Sequence, residues 1–338
     1  MSELVLAAPP GAREPPEARG VDRADVAMLV ASRHDGALVH ARFRELRRFL
    51  VPGDLLVVNT SATLPAALPA RLGERAIELH LSTPVGDGSW AVELRTADLL
   101  PLKRPPIGTR LELPGGAHAE LVAAYLGSDR LGLARLSFGE PVDRYLRRHG
   151  RPIRYGYVGR EWPIDAYQTA FAREPGSAEM PSAGRPFSAE LVTELVAGGV
   201  LVAPVTLHTG VSSLERGESP YPERYRVPAA TARLVNAVHD WGGRVISVGT
   251  TVVRALETVT GADGVVAPGE GSTNLVVTPR HGLRAIDGLL TGWHEPASSH
   301  RELLEAAVGA ELLERSYEAA RARGYLFHEF GDAHLILP

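Results

Sequence analysis

The chain has 338 residues, 44% of them hydrophobic, with 36 lysines and arginines against 40 aspartates and glutamates and a formal net charge of −4. That length suits roughly two or three folding units with enough apolar content for a core, and the slightly acidic balance provides no global basic field to draw in nucleic acid. There is no cysteine, which excludes disulfides, thiolate zinc sites, iron–sulfur clusters and thiol nucleophiles and leaves histidine and carboxylate as the available metal ligands.

Residues 1–24 are rich in proline, glycine and charge and predict an extended arm, with order beginning near Asp25. The first twenty residues lack a basic region followed by an apolar stretch, and no apolar run approaches the length of a membrane span, so a cytoplasmic protein is expected. Val26–Val30 reads as a buried strand. Phe43, Leu46, Phe49 and Leu50 share a helical face, and Pro52-Gly53-Asp54 turns into a second buried strand, Leu55–Asn59.

Over residues 60–143 the pattern changes to period two. Ile77, Leu79 and Leu81 alternate with Glu78 and His80, and Trp90, Val92 and Leu94 alternate with Glu93 and Arg95. Five or so short strands without helical periodicity predict a small antiparallel β-barrel that closes to hide its edges.

Helix and strand alternate in the remainder. Ser188 caps a predicted helix that buries Leu191 and Leu195 and ends at Gly198-Gly199, followed by the strand 200–207. A helix over 229–239, a strand over 244–248 and a helix opened by Gly249-Thr250-Thr251 come next, and Ser299 and Glu302 have capping-box spacing before a last helical region. The expected fold is α/β: a mainly parallel sheet covered by helices, formed by residues 1–59 and 144–338, with residues 60–143 inserted as the barrel.

Chemistry concentrates where strands end. Gly249-Thr250-Thr251 places backbone N–H groups and two hydroxyls at the positive end of a helix, as an anion or ribose site requires, although the same turn also serves ordinary strand-to-helix connections. Arg254 and Glu257 lie one helical turn apart, spaced to pair. His208 follows a strand as a natural acid–base group, and His294 sits beside Trp293 in a Gly/Pro loop. Arg144, Arg147, Arg148, Arg151 and Arg154 interleave with Tyr145, Tyr155 and Tyr157, a pattern open to phosphate contact and base stacking or to a solvated helix face. No HExxH, GxSxG, Walker or GxGxxG motif occurs, and no metal site is expected.

Taken together, Pro52–Thr60, Tyr167-Gln168-Thr169, Pro175–Ala178 with Pro181–Gly184, Val205–His208, Val248–Thr251 with Arg254 and Glu257, and Phe330–Ala333 resemble the S-adenosylmethionine:tRNA ribosyltransferase-isomerase family of queuosine biosynthesis. The resemblance implies transfer and isomerisation of the ribosyl part of S-adenosylmethionine onto a 7-aminomethyl-7-deazaguanine base in tRNA, with release of adenine and methionine and no further cofactor. On that reading, His208, Glu223 and Asp332 are the expected catalytic residues. Gly249, Thr250, Thr251, Arg254, Tyr167, Trp293 and His294 are expected to hold S-adenosylmethionine, with Phe171 as a further aromatic face. Departures from the family pattern at Ser61–Ala67, Arg185-Pro186, Thr209–Ser213 and Glu218–Pro222 remove several polar groups. They keep open an S-adenosylmethionine enzyme with a small-molecule acceptor, or a non-catalytic adenosyl-binding protein.

Overall fold

The computed structural model describes residues 10–211, 221–294 and 300–338. Its frame is a nine-stranded sheet in the spatial order Gly269–Thr273, Glu223–Val227, Leu201–Leu207, Leu55–Asn59, Val245–Val248, Gly288–Gly292, Ala333–Leu337, Ala27–Ser32 and Leu38–Arg42. The run from Leu201–Leu207 to Gly288–Gly292 is parallel throughout. Its five residues Leu55–Asn59 are all buried, with Leu55 and Val57 facing one core and Leu56 and Val58 the other, as a strand covered on both faces demands.

The sheet is mixed, which corrects the expectation of a mainly parallel one. Parallel pairing recurs between Ala27–Ser32 and Ala333–Leu337, but Gly288–Gly292 meets Ala333–Leu337 antiparallel, and the strands at both edges are antiparallel to their neighbours. Leu38–Arg42 shows why: it follows Ala27–Ser32 through so short a turn that it can only reverse direction. Hydrophobic period reveals that a strand exists and says nothing of its neighbour's direction.

The four helices Ala229–Asp240, Thr250–Thr258, His300–Val308 and Ala310–Ala322 pack on one face. The other face packs against Ala189–Ala197, the 3-10 helix Phe43–Phe49 and the segment around Ala183 and Phe187, with Phe43, Leu46, Phe187, Leu191 and Leu195 buried. Ser188 caps Ala189–Ala197 by accepting the Leu191 N–H at 3.2 Å. Ser299, expected in a capping box, lies outside the described residues.

Between Ala67 and Ser137, six antiparallel strands close into a barrel. Ile77, Leu79 and Leu81 point inward, 3%, 0% and 0% exposed. The described part of the expected extended arm is folded instead. Residues Pro16–Arg19 and Arg23–Asp25 form 3-10 turns, Ala12 is buried, Glu17 pairs with the buried Arg185, and an Arg19 N–H donates to the Phe330 carbonyl. Tertiary partners more than a hundred residues away supply the order that local composition lacks. Among the described residues no helix is long and apolar enough to cross a membrane.

Candidate active site

The carboxyl ends of the four central parallel strands open onto one cavity of about 270 Å³. Thr63 lies just beyond the strand Leu55–Asn59, Thr209–Val211 beyond Leu201–Leu207, Gly249–Thr251 beyond Val245–Val248, and Trp293 and His294 beyond Gly288–Gly292. This is the edge at which open α/β sheets bind ligands. The barrel adds Ser82, and the segment leaving it adds Ile153, Tyr155 and Tyr157.

The floor is the start of the helix Thr250–Thr258. Gly249 adopts φ 97 and ψ 153, a combination reserved for glycine, which turns the strand directly into the helix. The N–H groups of Thr250 and Thr251 have no intrahelical acceptor, whereas that of Val252 donates to the Gly249 carbonyl at 3.2 Å. Thr250 and Thr251 line the cavity beside them, and Asn59 donates a 3.2 Å hydrogen bond to Thr251 Oγ1.

Arg254 does not pair with Glu257 as its spacing predicted. Its guanidinium donates to Glu223 and to the carbonyls of Leu275 at 3.1 Å and Thr273 at 3.3 Å. Glu257 instead accepts the N–H groups of Arg284 and Ala285 at 2.8 and 2.9 Å. Glu223 also accepts the Gly210 N–H at 2.8 Å, so the Arg254–Glu223 pair ties the helix to the loop after the strand Leu201–Leu207.

His294 and His300 stack in the cavity wall with centroids 4.2 Å apart and planes 5° from parallel. Burial pushes both down, His300 to about 4 and His294 well below its ordinary value, so both are neutral imidazoles at neutral pH. Trp293 lines the cavity but is 1% exposed, stacked on His334 at 4.5 Å and surrounded by Tyr317, Tyr325 and Phe327. It is a core side chain as much as a ligand surface.

A further part of the lining, joined to Trp293 by the His328 N–H at 3.1 Å, is not visible in the sequence as a unit. Tyr157 stacks on His328 at 4.1 Å and on Tyr155 at 6.1 Å, and Arg95 lies 4.9 Å from the Tyr155 ring on the barrel side. Tyr155 donates its hydroxyl to Glu179, and Tyr157 donates its own to Glu329. Burial lifts the Glu329 carboxyl to about 7 against the lowering effect of the Tyr157 bond, and the Glu179 charge adds to the rise. Tyr167, 3% exposed, has a buried hydroxyl with no hydrogen-bond partner among the described residues. His328 holds φ 71, unusual for a residue other than glycine.

Eight expected residues therefore meet in the cavity: Tyr167, Glu223, Gly249, Thr250, Thr251, Arg254, Trp293 and His294. Asp332 and His208 do not line it. Asp332 accepts the Ala27 N–H at 2.8 Å and the Leu326 N–H at 2.7 Å, which fixes the turn before the last strand to the strand Ala27–Ser32. His208 points to the other side of its chain from Thr209. Its Nδ1 lies 2.7 Å from Ser61 Oγ, its ring rests on Gly176, and burial together with the Arg224 charge pushes it down to about 4. Phe171 packs on Phe187 rather than in the cavity. Arg147, Arg148 and Arg151 pair with Asp143, Glu140 and Glu78, and Tyr145 is buried against Phe138. Glu218–Pro220 and Ser212-Ser213 lie outside the described residues, which also contain no His/Asp/Glu group arranged to hold a metal ion.

The mixed α/β sheet, with a cavity of hydroxyl, carboxylate and aromatic lining at its carboxyl edge, defines an α/β protein with one candidate ligand site there. The chain belongs to the queuosine biosynthesis protein family, whose model matches residues 6–336. It is 36% identical to an S-adenosylmethionine:tRNA ribosyltransferase-isomerase of Rhizorhabdus wittichii over 92% of each chain, and 38% identical to that of Moorella thermoacetica over 97% of each. The crystal structure of the S-adenosylmethionine tRNA ribosyltransferase of Thermotoga maritima is similar with a TM-score of 0.54 and 29% identity, over 99% of this chain and 100% of that one.

Proposed function

We propose that this chain transfers and isomerises the ribosyl part of S-adenosylmethionine onto a 7-aminomethyl-7-deazaguanine base in tRNA, releasing adenine and methionine. Membership of the family and likeness to its ribosyltransferase-isomerases over nearly the whole chain support the reaction. The observation that carries it to particular residues is the cavity itself, with a helix N-terminus and two threonine hydroxyls facing aromatic rings and carboxylates.

The sulfonium of S-adenosylmethionine acidifies the adjacent ribosyl C5′ protons and makes methionine a good leaving group. The protein must therefore hold a cation, orient the ribose and accept a proton. Thr250, Thr251 and the first-turn N–H groups of their helix are suited to ribose hydroxyls or the methionine carboxylate. Arg254, held by Glu223 and the carbonyls of Leu275 and Thr273, positions a guanidinium at the same end. The ring face of Tyr167 offers the sulfonium a cation–π contact worth about 0.5–2 kcal/mol. The neutral His294–His300 pair is suited to exchange a proton with the departing adenine. We further propose that residues 60–143 act as an inserted unit over the sheet of residues 1–59 and 144–338, and that the protein works in the cytoplasm, where its substrates are.

Incubation with S-adenosylmethionine and tRNA carrying the aminomethyl base, followed by mass spectrometry, tests the reading: adenine and a nucleoside heavier by the ribosyl-derived unit are expected together. A second reading, with a small-molecule acceptor, is favoured by one observation. Arg147 and Arg148 of the helix Val142–His149, and Arg151, pair with this chain's own acids, which compete with phosphate for them. Affinity for tRNA that is insensitive to salt would support this alternative, since phosphate contacts make binding fall steeply with ionic strength.

A further inference from the structure

We infer that the corner of the cavity formed by Glu329, Tyr157 and the Tyr167 hydroxyl is a receptor for a primary ammonium group, and that the acceptor base brings that group. The inference rests on the reaction proposed above and names the subsite that selects its acceptor.

Glu329 lines the cavity, and among the described residues its hydrogen-bond partner is Tyr157 and no lysine, arginine or histidine pairs with it. A carboxylate withdrawn from water needs a compensating charge. Tyr167 lines the same cavity, its hydroxyl is buried without a partner among the described residues, and its ring packs 5.0 Å from that of Phe330, the residue after Glu329. Two polar groups thus converge, one wanting a positive charge and the other a hydrogen-bond partner.

The remaining lining narrows the ligand's chemistry. Elsewhere in the cavity Glu223 is paired with Arg254, and His294 and His300 are uncharged, so those groups make no comparable demand for a cation. Tyr157 and Tyr155 present stacked rings, and Arg95 against Tyr155 shows that the stack already receives one cation on its barrel side. A phosphate or carboxylate would be repelled. A sulfonium carries charge but no N–H, so it would leave the Tyr167 oxygen unmatched. A primary ammonium has three donors on a compact charge and can satisfy Glu329 and Tyr167 at once.

The test uses the full chain and two short RNA stem-loops that differ at one base, 7-aminomethyl- or 7-methyl-7-deazaguanine, with binding followed by calorimetry. Wild type is expected to prefer the aminomethyl RNA by about tenfold, the worth of a charge-assisted hydrogen bond. Glu329→Gln is expected to bring that preference close to one, and Glu329→Asp to keep part of it, with S-adenosylmethionine titrated in parallel; thermal melting verifies that both variants are folded. A preference that survives Glu329→Gln overturns the inference. So does a loss confined to S-adenosylmethionine, which would assign the corner to the donor's own ammonium. Equal binding of both RNAs by a wild-type protein that still releases adenine overturns this inference alone, whereas absence of adenine release is the separate failure of the reaction on which it rests.

Discussion

Replacing Gly249 by alanine strikes the point where strand, helix and cavity meet. At φ 97 and ψ 153 a side chain costs about 1–3 kcal/mol of backbone strain. The added Cβ would stand 3.3 Å from the Ala183 Cβ and 3.5 Å from Thr251 Oγ1, tight but tolerable, so strain outweighs collision. Two responses are open to the chain. If the backbone holds its conformation, stability falls by that amount, which for a chain of this size lowers Tm by a few degrees. If the backbone relaxes, the first turn rotates away from the cavity, and each hydrogen bond lost to the ligand weakens binding by about five- to tenfold. Thermal unfolding together with calorimetric titration of S-adenosylmethionine separates the two. A variant that melts with wild type and binds S-adenosylmethionine equally well would refute the assignment of this turn to the ligand.

Asp332→Ala removes the acceptor of two backbone N–H groups and is expected to cost about 1–3 kcal/mol in denaturant unfolding while S-adenosylmethionine affinity stays at the wild-type value; His208→Ala should behave in the same way, and a selective loss of adenine release in either would return it to the catalytic set. In the barrel, burial acts to raise Glu93, but His80, Arg95 and Arg130 prevail and hold it at about 2. Glu93→Ala removes a buried carboxylate shared by two buried guanidinium groups and is expected to destabilise by about 3–5 kcal/mol, with retention of wild-type stability the contrary result. The Glu329 carboxyl is raised from 4.5 to about 7, so the folded chain binds its proton more tightly than the unfolded one. The contribution is therefore present below about 4.5 and lost as pH rises through about 7. Ligand-free Glu329→Gln should gain Tm over wild type above that window and lose the advantage below it, and the opposite trend would contradict the placement of Glu329.

The frame was legible because its signals are local. Leu55–Asn59 begins and ends where its apolar run does, Ser188 caps its helix, and the alternation of Ile77, Leu79 and Leu81 faces the barrel core. Strand direction and the folding of residues 10–24 were not legible, because both depend on partners distant in the chain, such as Arg185 for Glu17. The same limit governs the cavity. Gly249-Thr250-Thr251 could be found because a glycine turn into a helix is a local motif, whereas Tyr155, Glu179 and Glu329 come from separate loops joined only in space. Tyr155 and Tyr157 were visible as aromatics among arginines, yet their hydroxyls face carboxylates rather than nucleic acid. His208 shows how fine the margin is: one residue further, Thr209 faces the cavity, and alternation along an extended chain turns His208 away.

The most direct measurement is a crystal structure of the chain with S-adenosylmethionine. The account predicts density for the nucleoside in the cavity, with ribose or methionine carboxylate at Thr250 and Thr251 and the sulfonium over the Tyr167 ring. Density bound at another surface while this cavity holds only solvent would contradict it.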